Sequence, residues 1–598
     1  MAKTSKRRTA RNQIFSDGGP GSDPRFLSRF AALAMPFWRL EEGWGNLGLG
    51  LFLVVLTVAQ VCVPVALNLW NEQLFDSLER REMSRFLMLV GVLAAIIVAN
   101  VAITVTHLTV KRRLQVAWRR WLTYRVFRGW MNDGRQYLVN FVPGEHDNPD
   151  GRIAEDIRIA TESAIDLAHS LFYSALLLIS FTKILWSLSG PSEVRFGDFE
   201  VYLPGHLVWI AILYSVLGTV VASALGRPLV KAVDRRQTDE ANFRFGLVHA
   251  RENAMAIALL SGEVGERRHF RTLFRDVVLA WDRQTSALAH IFYFTSSWSV
   301  LSQVFPYMVA APRYIAGAIS LGVLMQTAQA FGQMTNALSW PIDNLAGVAE
   351  WRASVERVLN LVKAVDLVPE HFAAREREGI TVADSERPVL AFSDLEVTEA
   401  DGTLQVSQFS AAIRKGERVL LTGDPGAAVT LFKVTAGLWP WGRGRVDLPE
   451  GGGIFFMPRR PYLPTGPLRQ AVMFPLVPKP RLEKALTAAL SRVGLTDFIE
   501  RLNESRDWEQ SLAVGEQQRL GFARLLLHDP EWIFIQEATD GLDRDAERDM
   551  MTLLFAEYPQ ATVMTISHRT SMATFHHRCL RLVRFRGLTV VEDAPLAS

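Results

Sequence analysis

Five stretches free of Asp, Glu, Lys and Arg dominate the first 342 residues: Gly43 to Asn71, Phe86 to Val110, Val201 to Gly226, Gln284 to Pro312 and Tyr314 to Ile342. Each exceeds the roughly 20 residues that a helix needs to cross the hydrocarbon of a bilayer. A sixth, Leu167 to Ser189, is interrupted by Lys183 alone, close enough to the segment's end for its ammonium to reach an interface. Uncharged runs of this length are rare in soluble cores. The sequence therefore predicts six spans, at about 44–70, 86–110, 164–189, 203–226, 286–311 and 315–342. The rest of the chain is too polar to lie in lipid. Over 598 residues the hydrophobic share is 49%, the charged share 21% and the mean hydropathy +0.11, which fits a membrane half joined to a soluble half.

Basic residues set the expected orientation. The N-terminal KTSKRRTAR, the segment after span two (Lys111, Arg112, Arg113, Arg119, Arg120) and the segment after span four (Arg227, Lys231, Arg235, Arg236) are rich in Lys and Arg. The connectors after spans one and three carry Glu72, Asp76, Glu79 and Glu82, and Glu193, Asp198 and Glu200. Positive-inside bias then puts both termini in the cytoplasm. Residues 1–37 read as a basic cytosolic arm, since no apolar run with a cleavage site stands there. Two distant cysteines, Cys62 and Cys579, exclude a disulfide framework and a cysteine zinc cage. A net charge of +3 gives no reason to expect a nucleic-acid partner.

Long polar segments of helical period follow spans two and four, as if those helices continue into the cytosol. This layout resembles that of exporter-type ATP-binding-cassette (ABC) transporters. Further strings sharpen the resemblance. LNLWNEQLFDSLERRE is similar to the segment after the first span of SbmA/BacA-like and peroxisomal acyl-CoA (subfamily D) transporters. DNPDGRIAEDI looks like their cytosolic coupling motif, and GRPLV, PYMVAAPRYIAG and LMQTAQAFGQMTNALSW resemble their later helices. The resemblance implies an all-α six-helix transmembrane domain over 38–365, a linker over 366–388 and a C-terminal α/β P-loop-type nucleotide-binding domain over 389–598. Strand-like LAFSDLEV, RVLLTG, WIFIQE and TVMTIS, with helices between them, agree with an α/β domain.

Phosphate binding in such a domain needs a glycine-rich loop after a strand, a Lys at the β/γ positions and a Ser/Thr for magnesium. RVLLTG leads into Gly423-Asp424-Pro425-Gly426-Ala427-Ala428-Val429-Thr430. Gly423, Gly426 and the metal-side Thr430 match. Val429 replaces the Lys and Ala428 a glycine. By resemblance, Gln536 stands where the magnesium-linked Asp belongs, with Glu537 beside it as the catalytic base. His568 is the γ-phosphate switch residue, and Arg459 replaces the lid-loop Gln. Leu512-Ala513-Val514-Gly515-Glu516 is the signature segment without its serine, and Asp543 ends the loop that communicates across a dimer. The cofactors implied are ATP and Mg2+, with hydrolysis weak or absent, because each lost charge-assisted phosphate contact costs about 1.5–3 kcal/mol.

Two transport readings follow. In one, the chain is a half-transporter that dimerises with a copy of itself, or with a partner whose cassette is intact, and moves peptides or other bulky amphipathic solutes using nucleotide. In the other, a proton gradient drives transport and the cassette is a vestigial regulator. Asp166, Lys183, Asp343 and Glu350, with His169 and His290, are the ionisable groups in or beside spans that such a pathway would use. Helix-end snorkelling is the plainer account of the two histidines. A non-transporting sensor is a third class, favoured by nothing beyond the altered site. The expected home is a bacterial-type inner membrane.

Overall fold

The structure, a computed structural model, describes residues 26–38, 44–144, 148–190, 193–196, 199–202, 204–376, 379–385, 387–399, 401–450, 453–477, 479, 482–585 and 588–594. Residues 1–25 of the expected basic arm lie outside these, as do three positions of the expected linker. The chain divides into two units. The first comprises 1–128 and 145–362, the second 129–144 and 363–598.

The first unit is built from helices α1 (Phe26–Trp38), α2 (Trp44–Glu79), α3 (Met83–Trp130), α4 (Ile157–Ser189), α5 (His206–Glu252), α6 (Glu263–Ile315), α7 (Leu321–Asp343) and the first half of α8 (Leu345–Glu376), with a small hairpin of β1 (Glu193–Phe196) and β2 (Phe199–Tyr202). Among the described residues, four helices are long and apolar enough to cross a membrane: Gly45–Glu79, Met83–Trp130, Pro149–Ser189 and His206–Glu252. The two other expected spans fall on α6 and α7. Large apolar side chains such as Val98 and Leu213 point outward at 70% exposure, as a surface facing lipid requires. Inside, Phe181 and Leu185 of α4, Leu207 and Ala211 of α5, and Phe331 and Met334 of α7 form one buried cluster.

The string LNLWNEQLFDSLERRE has a clear physical use. A helix leaves its first N–H groups without internal partners, and α7 begins between α2 and the bundle. Leu321 N donates to Glu79 Oε2 (2.9 Å), Gly322 N to Asp76 Oδ1 (2.9 Å) and Val323 N to Ser320 Oγ (3.3 Å). One turn along, Asn68 Nδ2 donates to Gln326 O (3.0 Å) and Asn71 Nδ2 to Gln329 Oε1 (2.7 Å). The acidic and amide groups of α2 thus cap and clamp α7, with carboxylates at the positive end of its dipole.

In the second unit, ten strands are ordered β3-β7-β4-β5-β14-β13-β6-β12-β11-β8. They are β3 (Ile380–Ser385), β4 (Val389–Thr398), β5 (Leu404–Arg414), β6 (Arg418–Gly423), β7 (Gly442–Pro449), β8 (Ile454–Met457), β11 (Trp532–Gln536), β12 (Thr562–Ile566), β13 (Arg578–Phe585) and β14 (Leu588–Ala594); the two-residue β9 (Gly466–Pro467) and β10 (Ser505–Arg506) pair separately. The block β13-β6-β12-β11-β8 is parallel throughout. Trp532, Ile533, Phe534 and Ile535 are all buried, as expected of a parallel strand covered on both faces. Helices α9 (Pro425–Thr435), α10 (Glu483–Arg492), α11 (Val514–Leu527) and α12 (Arg544–Glu557) complete the unit.

Two expectations about organisation need revision. The stretch 366–388 is not a linker: α8 continues to Glu376, and β3 pairs with β7 from Ile380 to Ser385. The piece of the membrane half that belongs to the second unit is 129–144, where Phe141 packs edge-on against Trp441 (4.5 Å between ring centroids) and Trp439 (5.9 Å). The described part of DNPDGRIAEDI, just downstream, stays with the first unit. It forms a π-helical turn, Arg152–Asp156, whose buried Asp156 accepts two hydrogen bonds from Arg357 of α8 (2.8 and 2.5 Å).

Candidate functional site

The expected phosphate-loop residues sit where β6 gives way to α9. Gly423 has φ +107°, and a Cβ there would lie 2.0 Å from Leu582 O of β13, so only glycine fits. The glycine–lysine loop motif predicts an open turn through Ala428, but the helix already starts at Pro425. Asp424 is its N-cap and Pro425 its first residue, a favoured pairing. The N–H groups that a phosphate would use are therefore all engaged. Pro425 has none, the Asp424 carboxylate accepts from Gly426 N (3.0 Å) and Ala427 N (3.3 Å), and Ala428 N donates to Asp424 O (3.1 Å). Ala427, Ala428 and Thr430 are buried, and the Thr430 hydroxyl, expected to face the metal, donates back to Gly426 O (3.0 Å). Val429 is half-buried and offers no charge.

A second group gathers at the ends of β11, β12 and β8. Glu537 follows Gln536 with φ +46°, a left-handed conformation that costs a non-glycine residue roughly 1 kcal/mol and recurs at functional sites. Arg459 Nη1 lies 3.6 Å from Glu537 Oε2 and its Nε 3.6 Å from Asp540 Oδ2; His568 Nδ1 is 3.6 Å from Glu537 Oε1. Arg459 thus lies against the acidic pair. Glu537, Asp540 and His568 have the donors for a divalent cation within 4.8 Å of one another, with a guanidinium beside both carboxylates. Buried Gln518 holds the group together: its Nε2 donates to Arg459 O (3.2 Å) and Glu537 O (3.4 Å), and its Oε1 accepts from Gly541 N (2.8 Å).

The third group, Gly515, Glu516 and Asp543, lines a cavity of about 390 Å3 beside Ala513 and Arg519. Glu516 Oε2 accepts from Ala513 N (2.8 Å), half of a capping box, since alanine has no oxygen to return the bond. Asp543, expected to communicate across a dimer, caps α12 by accepting from Asp545 N (3.0 Å) and Ala546 N (2.8 Å). Arg569, next to His568, pairs with the buried Glu547 at 2.6 Å and donates to Leu542 O and Asp540 O, fastening the same loop. Arg524 is buried among the carbonyls of Ala471 and Tyr462, and burial pulls its guanidinium down to about 10.

In the first unit, Asp166 is paired with Lys111 (3.0 Å) and accepts from Gln115 Nε2 (3.0 Å). His169 packs on His107, 4.3 Å between ring centroids, and its Nε2 is 3.4 Å from Gln60 Oε1. Lys183 is exposed on an apolar outer face beside Ile179 and Trp186, Glu350 is exposed on α8, and His290 Nδ1 is 2.7 Å from Ser286 O of its own helix. Asp343 lines a cavity between α5, α6 and α7.

Asp424, Gln518, Arg569 and His107 are the residues that motif reasoning passed over. The Asp-Pro pair was the available signal, being the cap and first-turn signature of a helix start. His107 gave none, because it lies inside an uncharged run.

As arranged, the residues do not fit magnesium-bound ATP: the N–H groups are taken, the Lys is Val429 and the Thr430 hydroxyl faces inward.

Comparison with known proteins shows what the chain resembles. Residues 40–315 match the family described as ABC transporter transmembrane region 2. The Escherichia coli inner membrane ABC transporter ATP-binding protein YddA is 28% identical, covering 91% of this chain and 95% of its own length. Arabidopsis thaliana ABC transporter D family member 2, chloroplastic, is 26% identical over 93% of this chain and 86% of its own. The human lysosomal cobalamin transporter ABCD4 is 25% identical over 94% and 96%. A solved bacterial Atm1-family ABC exporter with ATP bound shares the fold, with a TM-score of 0.66 at 17% identity over 90% of this chain and 94% of that one. The chain is thus an integral membrane homologue of the ABC half-transporters of subfamily D, a helical ABC transmembrane region followed by a C-terminal α/β sheet domain.

Proposed function

We propose that this chain is one half of a dimeric transporter that moves peptides or other bulky amphipathic solutes through six spans per half, and that its α/β unit binds ATP weakly and hydrolyses it slowly. The observation that carries the second clause is the closed start of α9, where Asp424 occupies the N–H groups of Gly426 and Ala427. Nucleotide entry then requires the first turn of α9 to unwind. Val429, Gln536 and Ala513 remove further contacts, and loss of one preorganised transition-state donor typically slows chemistry about a hundred- to a thousandfold. Glu537 and His568 act as base and switch in this reading, which their 3.6 Å separation supports. The second chain of the pair is either a copy or a relative with an intact site, each supplying a signature segment to the other. Both termini lie in the cytoplasm, following the basic segments, and the bacterial inner membrane is the proposed location, in keeping with the name of the Escherichia coli relative.

ATP binding and solute uptake measured on one preparation in proteoliposomes test this. The expected result is weak but saturable ATP binding, with uptake that needs ATP and falls in Glu537→Gln. No binding at millimolar ATP, together with full uptake driven by an imposed pH gradient, replaces this reading with the proton-driven one. That second reading has its own support in His107, Lys111, Asp166 and His169, which meet between α3 and α4, with His107 Nε2 buried and unpaired among the described residues.

A further inference from the structure

Between α5, α6 and α7 the first unit carries a half-open cavity of about 440 Å3, within the range of pockets that hold organic ligands. One wall is aromatic. Tyr214 stacks on Trp298 (4.3 Å between centroids, 20° between planes) and on Phe305 (4.8 Å, 18°), and its hydroxyl meets Ser302 Oγ at 2.7 Å. The indole reaches this position across Gly218, where a Cβ would lie 2.6 Å from Trp298 Cζ2.

The rest of the lining is polar in a way packing does not explain. Ser215, Thr219, Ser299, Gln303 and Asn336 line the cavity with no hydrogen-bond partner among the described residues; Ser215 Oγ is buried, whereas Ser299, Gln303 and Asn336 are exposed at its open side. For Ser215 alone that unpaired burial costs about 1–3 kcal/mol, and inside a bilayer water is scarce to relieve it. Hydroxyls and amides gathered beside a stacking surface are groups that await a ligand's donors and acceptors. The charge is equally selective: among the described lining residues Asp343 is the one charged group, with no Lys, Arg or His beside it.

We propose that this cavity recognises a neutral or cationic solute bearing a flat ring and several hydrogen-bonding groups, and that it discriminates against anions such as CoA thioesters. This deepens the transporter reading and rests on it. An anion here meets the Asp343 carboxylate with no cation among the described lining residues, whereas a cation finds that carboxylate beside a wall in which Trp298 is stacked by Tyr214 and Phe294.

The test uses the full chain in nanodiscs of neutral phosphatidylcholine and two xanthene dyes of similar frame and opposite charge, rhodamine 6G and fluorescein. Binding is read by fluorescence anisotropy after subtraction of empty discs. Saturable rhodamine 6G binding is expected, with fluorescein about tenfold weaker or worse. Trp298→Ala removes the indole that forms the wall between Tyr214 and Phe294 and is expected to weaken rhodamine 6G about tenfold. Asp343→Asn, at an exposed position that leaves the packing alone, is expected to lower rhodamine 6G affinity about fivefold and to narrow the gap between the dyes. The proposal is overturned if fluorescein binds as well as rhodamine 6G, if rhodamine 6G binding does not saturate, or if Asp343→Asn leaves the ratio of the two dyes unchanged. Because binding is measured without nucleotide or gradient, its loss speaks against the cavity alone, while intact binding without transport speaks against the transporter reading.

Discussion

The most informative perturbation is Asp424→Ala, because the structure assigns its two effects opposite signs. As the N-cap of α9, the carboxylate accepts from Gly426 N at 3.0 Å and Ala427 N at 3.3 Å. Removing such a cap costs a protein about 1 kcal/mol. The same change frees two N–H groups for a phosphate and removes a like charge from beside it. A charge 5 Å away contributes about 1 kcal/mol in bulk water and about 3 kcal/mol at an effective dielectric constant of 20. Taking the middle of that range gives about 2 kcal/mol, or roughly thirtyfold tighter nucleotide binding. The variant is thus expected to melt earlier and bind better. Titration with a fluorescent ATP analogue at fixed magnesium and salt, beside a melting curve without nucleotide, reads both. Asp424→Asn separates the causes: asparagine still caps but carries no charge, so affinity should rise in part with little change in melting. An earlier melt with affinity unchanged in Asp424→Ala would refute the idea that this carboxylate blocks the site. By the same logic, Val429→Lys with Gln536→Asp should raise ATP turnover little while α9 stays capped, and more when Asp424→Ala is added.

Three further outcomes follow from particular contacts. Gly322→Ala places a Cβ 2.1 Å from Glu72 O and 2.3 Å from Asp76 Oδ1, so the α2–α7 clamp must open; the purified variant should melt markedly earlier, and an unchanged melt would show that α7 is not held as described. Arg569→Met strands Glu547, 1% exposed, without its cation, at a cost of about 3–5 kcal/mol, whereas Arg569→Met with Glu547→Met should regain most of the loss; denaturant unfolding of both variants decides this. Buried His576, with Nδ1 2.7 Å from Met572 O and Nε2 2.9 Å from Thr565 Oγ1, is pushed down to about 4 chiefly by desolvation. Its neutral form is native, so its contribution is complete above about pH 6.5 and declines as pH falls toward 4, by about 2 kcal/mol at pH 5; hydrogen exchange in β12 and β13 should accelerate over that window, and His576→Gln should flatten the response.

Some of this was legible in the sequence and some was not, for reasons that differ from place to place. Strands β11 and β12 read plainly because WIFI and TVMTI are continuous apolar runs that parallel strands require. The candidate site was harder, because motif spacing carries residue identity but not the local competition for hydrogen bonds. Gly423, Gly426 and Thr430 fall in register with a phosphate loop, yet between them Asp-Pro already starts a helix at Pro425, and Gly423 is required by the close passage of Leu582 O. Asp543 adds a role that motif spacing does not carry: its carboxylate caps α12. The polar contacts of the membrane unit were invisible for a different reason. His107 and His169 lie 62 positions apart on different helices, and period alone does not say which faces meet.

On the proposed reading, the substitutions at the nucleotide site form one rearrangement when their positions are considered together. Lys to Val takes a positive charge away from α9, Asp to Gln takes a negative one from the end of β11, and Gln to Arg returns a positive charge at residue 459. That returned charge lies 3.6 Å from Glu537 and from Asp540, against the two carboxylates left without the magnesium-side acid. Meanwhile the start of α9 carries a carboxylate of its own, bonded to N–H groups that would otherwise draw in an anion. Each half of the site therefore holds internally the charge that a ligand would have brought, a cation beside the acids and an anion at the helix start. Such a site is stable when empty, and a nucleotide gains affinity only by displacing both internal groups. Its influence on the chain is then bounded by the difference between its affinities for the capped and the opened states of α9, which is why binding and turnover should respond separately to changes at Asp424 and at Arg459.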